Sequence, residues 1–448
     1  MKITYHIPMK IPVPVKSGSI FPWIIRSLLL GCTVGPVIAL LTKTVEAATF
    51  LRMANPKLLF AIPLGAITTA FLYQKVGPYL KDGSNQVMSM INQGIVDIAH
   101  PTSIAYQGDY ENHSNKISTK MAPLLLLNTF ITHLVGASGG KEGVGVQLGA
   151  SLGSYLDSLE NLLFPQNNTQ LKTNKKGVWL ISGAGSAFAA LFNAPIAGTL
   201  FGLQFSSPRV NRTDAILPCF LSSCTACFVS QALHIHTLTP IQAESFPTTV
   251  RSLACLTVLS IAVGLTSRLF CFLVHLVKQA LKAISPNPIL QALICGTLLL
   301  CASIGIYLAT GSVAYNGLSS SLLTEASLGT SSKAAPLLKL LLTTLTIGSG
   351  FVGGEVIPIM VIGSTTGSLF AHYLSLPFSA MAMFGAMGML SGATKLPFAC
   401  FVLGLELFGY GDPLTLFFVC CVAYIASGKP GIYENQIAPV SIDESWEV

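Results

Sequence analysis

The chain has 448 residues, 51% of them hydrophobic and only 10% charged, with a mean hydropathy of +0.65. A soluble domain carries about a quarter charged residues, so this composition excludes an ordinary soluble fold and predicts an all-α, polytopic membrane protein. The net charge of +7 does not point to nucleic acid: the basic residues are scattered through short loops (Lys75 and Lys81; Lys172, Lys175 and Lys176; Arg209 and Arg212) rather than gathered on one face, as a positive-inside bias would place them.

Met1–Ser19 carries Lys2, Lys10 and Lys16 and no small-residue cleavage site, so it reads as a retained cytosolic arm. The first apolar helix is expected over Phe21–Thr42 and a second over Leu58–Tyr73. At Gly83–Gly94, Gly83-Ser84-Asn85 opens a short segment as a helix cap would. His100–Lys120 is polar and is expected as a surface loop; an apolar helix from Met121 to Val135 then delivers the chain to Gly139–Ser154, GGKEGVGVQLGASLGS. Tyr155–Gly177 is expected to be a second polar loop. Gly177–Pro208 and Val356–Thr394 are free of charge up to Pro208 and long enough to span, yet both are broken by Gly and Pro, which is tolerated only where protein or a wet cavity satisfies the backbone.

Within Gly139–Ser154 the charges Lys141 and Glu142 stand alone among apolar and glycine residues. A carboxylate at membrane depth costs roughly 2.5–3.5 kcal/mol on insertion scales, so it faces a water-filled cavity or an ion path rather than lipid. The eleven cysteines mostly lie in apolar runs and act as small hydrophobes; Cys224-x-x-Cys227 has the form of a metal or redox pair, but no second ligand pair follows. No metal or cofactor is expected.

The second half repeats the plan of the first. At an offset of 214 residues Gly140, Gly149, Gly153 and Ser154 fall on Gly354, Gly363, Gly367 and Ser368, and at 202 Pro195, Ala197, Gly202 and Leu203 fall on Pro397, Ala399, Gly404 and Leu405, with Gln204 against Glu406. Paired, Gly-interrupted segments in two halves point to a transport site where the repeats meet. The helix starts at Gly83–Asn85, Gly139–Gly143 and Gly353–Ile357 offer unpaired N–H groups and positive dipole ends, a cradle for a small anion held loosely enough to leave.

At these residues the chain resembles the CLC family of chloride channels and proton-coupled anion antiporters. Gly83-Ser84-Asn85-Gln86-Val87 is similar to the family's GSGIP, Gly140-Lys141-Glu142-Gly143-Val144 to GREGP, Gly354-Glu355-Val356-Ile357-Pro358 to GxFxP, and Phe192-Asn193-Ala194-Pro195-Ile196-Ala197-Gly198 to FNAPLAG. The resemblance runs from Phe21 to Ile425. It implies two inverted-topology repeats of tilted, broken helices, here 20–208 and 209–427, between the arm 1–19 and a cytosolic tail 428–448 without CBS domains. It also implies a homodimer in the cell membrane with both termini cytosolic, and a pore for halide anions with a possible exchange of protons. Carried over residue by residue, it makes Glu142 the gating and proton-transferring glutamate. Ser84, Lys141, Gly143, Glu355, Val356 and Tyr410 become anion-binding positions: Ser84 by its hydroxyl, Glu355 and Val356 by backbone N–H, Tyr410 as the inner tyrosine. Three departures, Val144 for proline, Val356 for phenylalanine and GSNQV for GSGIP, look like the prokaryotic branch that includes fluoride/proton antiporters, although Ile357 stands where that branch has threonine. Leu200–Phe205 lacks the inner glutamate of the chloride antiporters, which fits a passive channel or the fluoride type.

Two rivals remain from sequence. Gly136-Ala137-Ser138-Gly139 matches the GxSG of intramembrane serine proteases, which need a histidine on another helix. An unrelated inverted-repeat transporter of organic anions would share the architecture without the ordered motifs.

Overall fold

A computed structural model describes residues 20–77, 83–99, 121–163, 177–207, 212–235 and 242–436; the expected cytosolic arm, the polar loop at 100–120 and the end of the tail lie outside the described residues. These are α-helical throughout, apart from connecting turns, a 3-10 helix at Pro56–Ala61 and one isolated β-bridge.

The first half comprises α1 (Ile20–Ala54), α2 (Ile62–Val76), α3 (Ser84–Ala99), α4 (Met121–Val135), α5 (Glu142–Leu163), α6 (Val178–Phe192), α7 (Pro195–Gln204) and α8 (Thr213–Ala232). The second comprises α9 (Val250–Ile284), α10 (Pro288–Thr310), α11 (Ser320–Ser327), α12 (Ala335–Gly348), α13 (Val356–Leu374), α14 (Phe378–Thr394), α15 (Pro397–Phe408) and α16 (Pro413–Ala426). Six segments are long and apolar enough to cross a membrane by length and composition: α1, α8, α9, α10, α13 and the stretch from Pro56 to Val76. The outward faces of these and neighbouring helices expose large apolar side chains, among them Phe50, Phe228, Leu308 and Leu414, a surface that suits hydrocarbon and not water.

Local chemistry sets the boundaries. Asn287 accepts the N–H of Ile289 at 3.0 Å before Pro288 opens α10, and Asp412 accepts that of Leu414 at 3.1 Å before Pro413 opens α16: a capping oxygen followed by the residue that brings no N–H of its own. The expected continuous spans split where Gly and Pro predicted interruption. Val178–Phe205 becomes α6 and α7, separated by Asn193 in the left-handed region and Pro195 at the next helix start. Val356–Thr394 becomes α13 and α14. The expected loop after Tyr155 is helical as far as Leu163, because Leu152 and Leu156, one turn apart, pack against the core while Tyr155 and Leu159 face out.

The duplication is visible in packing. Gly149 on α5 lies against the backbone carbonyl of Gly183 on α6, and Gly363 on α13 against that of Gly385 on α14. One turn further on, Gly153 meets Trp179 O and Gly367 meets Met381 O. Each second-half partner sits 214 or 202 residues after its first-half counterpart, so the same close helix pair has been built twice. A Cβ at either contact would overlap a carbonyl, hence the small residues. Across the halves, the Glu406 carboxylate of α15 accepts N–H groups from Ile196 (3.0 Å) and Ala197 (2.7 Å) at the start of α7, an acidic group at a positive helix end.

Candidate anion site at the meeting of the helix starts

The loops before α5 and α13 pair with each other. Gly140 N–H donates to Gly354 O at 2.6 Å and Gly354 N–H to Gly140 O at 2.7 Å, the one antiparallel bridge among the described residues. It joins two residues that the sequence places 214 apart, and it sets the amino ends of α5 and α13 side by side. A third helix start joins them: a Cβ built on Gly143 would lie 3.2 Å from Glu355 Oε2 and 3.6 Å from Ser84 Oγ. Ser84, Gly143 and Glu355 therefore converge from three separate elements.

Glu142 is fully buried at this junction. Its Oε2 accepts the N–H of Lys141 at 3.1 Å and that of Ile357 at 3.4 Å, so the carboxylate sits in the cradle formed by two helix starts, where an anion would sit. Its Oε1 is buried without a hydrogen-bond partner. Lys141 is also buried, but its ammonium points to Thr42 Oγ1 at 3.2 Å on α1, and only its N–H joins the cradle. Val356 is buried at the first turn of α13; the N–H that reaches the carboxylate belongs to the next residue, Ile357. Ser84 Oγ accepts from Gln147 Nε2 at 3.4 Å.

Tyr410 does not join this group. Its hydroxyl pairs with Thr415 Oγ1 at 3.3 Å, and its ring lies edge-on to Phe384 at 5.4 Å. Gly409, in the left-handed region, ends α15 one residue earlier and turns the chain toward α16. The tyrosine beside the site is Tyr433, buried, hydrogen-bonded to the Glu355 side chain and edge-on to Phe205 at 5.2 Å. It is carried by residues 427–436, which pack back against the helices. Lys395 Nζ donates to Ser427 Oγ (2.6 Å) and Gly428 O (2.7 Å), and Ile432 N–H donates to Ala393 O (2.8 Å). Asn435 Nδ2 donates to Ser89 Oγ (2.9 Å) on α3, and Gln436 Nε2 donates to Phe205 O and Thr394 O (both 3.1 Å). Sequence reading missed Tyr433 and Gln147, and held Ile357 only as the end of the Gly353–Ile357 helix start; the only signal for Tyr433 was a tyrosine soon after the last apolar run.

Ser138, the serine of the GxSG match, is fully buried and bonded to Lys339 Nζ (2.8 Å) and Thr343 Oγ1 (3.0 Å); a hydrolytic serine needs a base and access for a substrate. Among the described residues no group of three or more His, Cys, Asp or Glu could hold a metal ion, and Cys224 and Cys227 lie on α8 as free thiols.

With this geometry in place, three comparisons bear on the chain. The family model described as "Voltage gated chloride channel" matches residues 101–428. The curated "Chloride/fluoride channel protein" of Pseudomonas syringae pv. tomato (strain ATCC BAA-871 / DC3000) is 28% identical over 416 residues, covering 92% of this chain and 86% of that one. Among solved structures, a CLC-type fluoride/proton antiporter is similar with a TM-score of 0.82 and 27% identity, covering 94% of this chain and 99% of its own. A eukaryotic CLC transporter shares the fold at a TM-score of 0.67 and 16% identity, over 93% of this chain and 73% of its own.

Proposed function

Since the chain belongs to the voltage-gated chloride channel family, we propose that it passes a small halide anion across the membrane, with Glu142 as the gate and proton carrier and the helix starts of α3, α5 and α13 as the anion seat. The observation that carries this reading is the place of Glu142 Oε2, held by the N–H groups of Lys141 and Ile357. An ionised carboxylate there takes the seat of an anion. A protonated one loses its claim on those N–H groups and can leave with its proton, giving up the seat. Carboxylate and anion thus compete for one place and the proton decides between them, which is the physical basis of exchange, and a cradle of amide dipoles without a full positive charge binds weakly enough to release.

Fluoride is the halide this seat favours. Glu355 and Tyr433, hydrogen-bonded to each other beside the seat, can together present an O–H donor to it, and charge-assisted O–H bonds are short and strong, which suits a small, strongly hydrated ion. The Gly353-Gly354-Glu355-Val356 run and the likeness to a fluoride/proton antiporter support the same choice. The chain acts as a transporter and not as an enzyme, as a homodimer in the cell membrane with its termini in the cytosol. Reconstitution in liposomes tests the proposal: imposed fluoride and chloride gradients should drive anion efflux with simultaneous proton uptake, faster for fluoride. Efflux indistinguishable from empty liposomes for both ions rejects it.

A further inference from the structure

Lys339 on α12 is fully buried. Its Nζ donates to Ser138 Oγ, Gly317 O and Ser319 Oγ, each at 2.8 Å, with Tyr315 O at 3.3 Å. Three acceptors at one short distance match the three protons of an ammonium. All of these partners are neutral oxygens. A buried charge without a carboxylate is costly to keep for stability alone, and a lysine at membrane depth is a functional candidate by default.

What Lys339 holds is the loop that leads into the gate. Ser138 lies four residues before Glu142. Its Oγ pairs with Thr343 Oγ1 (3.0 Å) and its N–H donates to Thr346 Oγ1 (2.9 Å), both on α12. Asn316 Nδ2 donates to Gly136 O at 3.0 Å. The second repeat therefore clamps residues 136–138 of the first, and Lys339 is the centre of the clamp. At the offset of 214 the first repeat has Leu125 instead, a buried apolar residue, so the device serves the loop before α5, which carries the gate, and is not simply a product of duplication.

We propose that Lys339 is a positioning residue for the Glu142 gate: it fixes the 136–140 loop, and so the start of α5 and the amides that hold the carboxylate. The inference rests on the gate reading of Glu142. Other charged or titratable groups face the same region: Arg52 and Glu46 from α1, His133 from α4, Lys141 from α5, Glu355 before α13, and Tyr433 from the returning segment. Lys339 is tied to the loop through the side chain of Ser138. A loosened loop holds the carboxylate less well against its amide partners and so disfavours the ionised gate, and a lower proton concentration suffices to open it.

The test is the pH profile of anion efflux from liposomes for wild type, Lys339→Met, Ser138→Ala, Glu142→Gln and Lys339→Met combined with Glu142→Gln, with fluorescence-detected size exclusion as the check on folding. Lys339→Met is expected to move the efflux midpoint toward alkaline pH by about half a unit, the worth of a weakened amide hydrogen bond to the carboxylate, and to move nothing in the Glu142→Gln background. Ser138→Ala keeps the ammonium and cuts its tie to the loop; it is expected to raise efflux at the alkaline end about fivefold, the worth of one lost hydrogen bond. If Lys339→Met does not fold, the Ser138→Ala result decides. Unchanged profiles in folded Lys339→Met and Ser138→Ala, or a shift that persists without Glu142, overturn the inference. Wild-type pH dependence in Glu142→Gln alone overturns instead the gate reading beneath it.

Discussion

Glu142 has one oxygen held by two amides and the other buried without a partner. A carboxylate so placed is an occupant of its site rather than part of the wall, because both of its amide partners would serve an anion equally well. Glu142→Gln keeps the shape and removes the titration, so efflux in that variant is expected to lose its pH dependence and its proton uptake while some anion flux persists; parallel recording of anion and proton fluxes checks both. Tyr433→Phe removes the hydroxyl bonded to Glu355 and keeps the ring on Phe205. It should weaken halide binding roughly threefold to tenfold, the range of a hydrogen bond worth about 1 kcal/mol, with little change in thermal stability, as fluoride titration by calorimetry would show. At this scale the sequence was legible where a charge or a helix start marked the residue: Glu142, Ser84, Gly143 and Glu355 meet. Tyr433 was illegible because the path of residues 427–432 is set by contacts far away in the chain, Lys395 and Ala393, which leave no periodic trace. Tyr410 looked suitable by its distance from Glu406, but Gly409 redirects the chain.

The two pairs α5/α6 and α13/α14 are the rigid elements behind the site, and they touch through glycine against carbonyl. Because the two contacts are copies, Gly149→Val and Gly363→Val should each lower thermal stability in detergent by about 1–3 kcal/mol or more, the cost of overpacking, and by similar amounts. A large loss at one position with none at the other would contradict equivalent packing. The Gly and small-residue spacing made these pairs readable in advance, as did the breaks at Pro195 and Pro397. The helical end of α5 was not readable, since the charges in its last turns hid an apolar face at Leu152 and Leu156.

The returning segment is latched to α9 by Glu434, whose Oε1 meets Lys278 Nζ at 3.0 Å and His275 Nε2 at 3.5 Å. Burial works against the Glu434 charge, but the combined pull of Lys278, by charge and by hydrogen bond, and of His275 and Lys282 outweighs it and holds the carboxyl below its ordinary value of 4.5. A carboxyl whose value is lowered by folding contributes its stabilisation above the unfolded value and loses it as pH falls through the folded one. The latch is therefore intact above about 4.5 and opens only in stronger acid. Glu434→Gln should speed hydrogen exchange over residues 428–436 at neutral pH, with little effect on exchange in α13.

At the scale of the whole molecule, duplication explains the site. Two halves that each bring a glycine-led helix start to the middle produce a junction that neither half has alone, closed by the Gly140–Gly354 bridge. Sequence offsets alone made this architecture visible, while the cross-repeat ties of Lys339 and Glu406 were not, because a buried lysine and a half-buried glutamate carry no label saying which loop or helix end they serve. The central claim is that the Glu142 carboxylate and a halide compete for one seat. Crystals of Glu142→Gln grown in bromide, whose anomalous scattering marks the ion, test this most directly. The account predicts an anomalous peak within hydrogen-bonding reach of the Lys141 and Ile357 N–H groups, absent from wild type at alkaline pH. A carboxamide bound in that cradle with no peak beside Ser84, Gly143 or Tyr433 would contradict it.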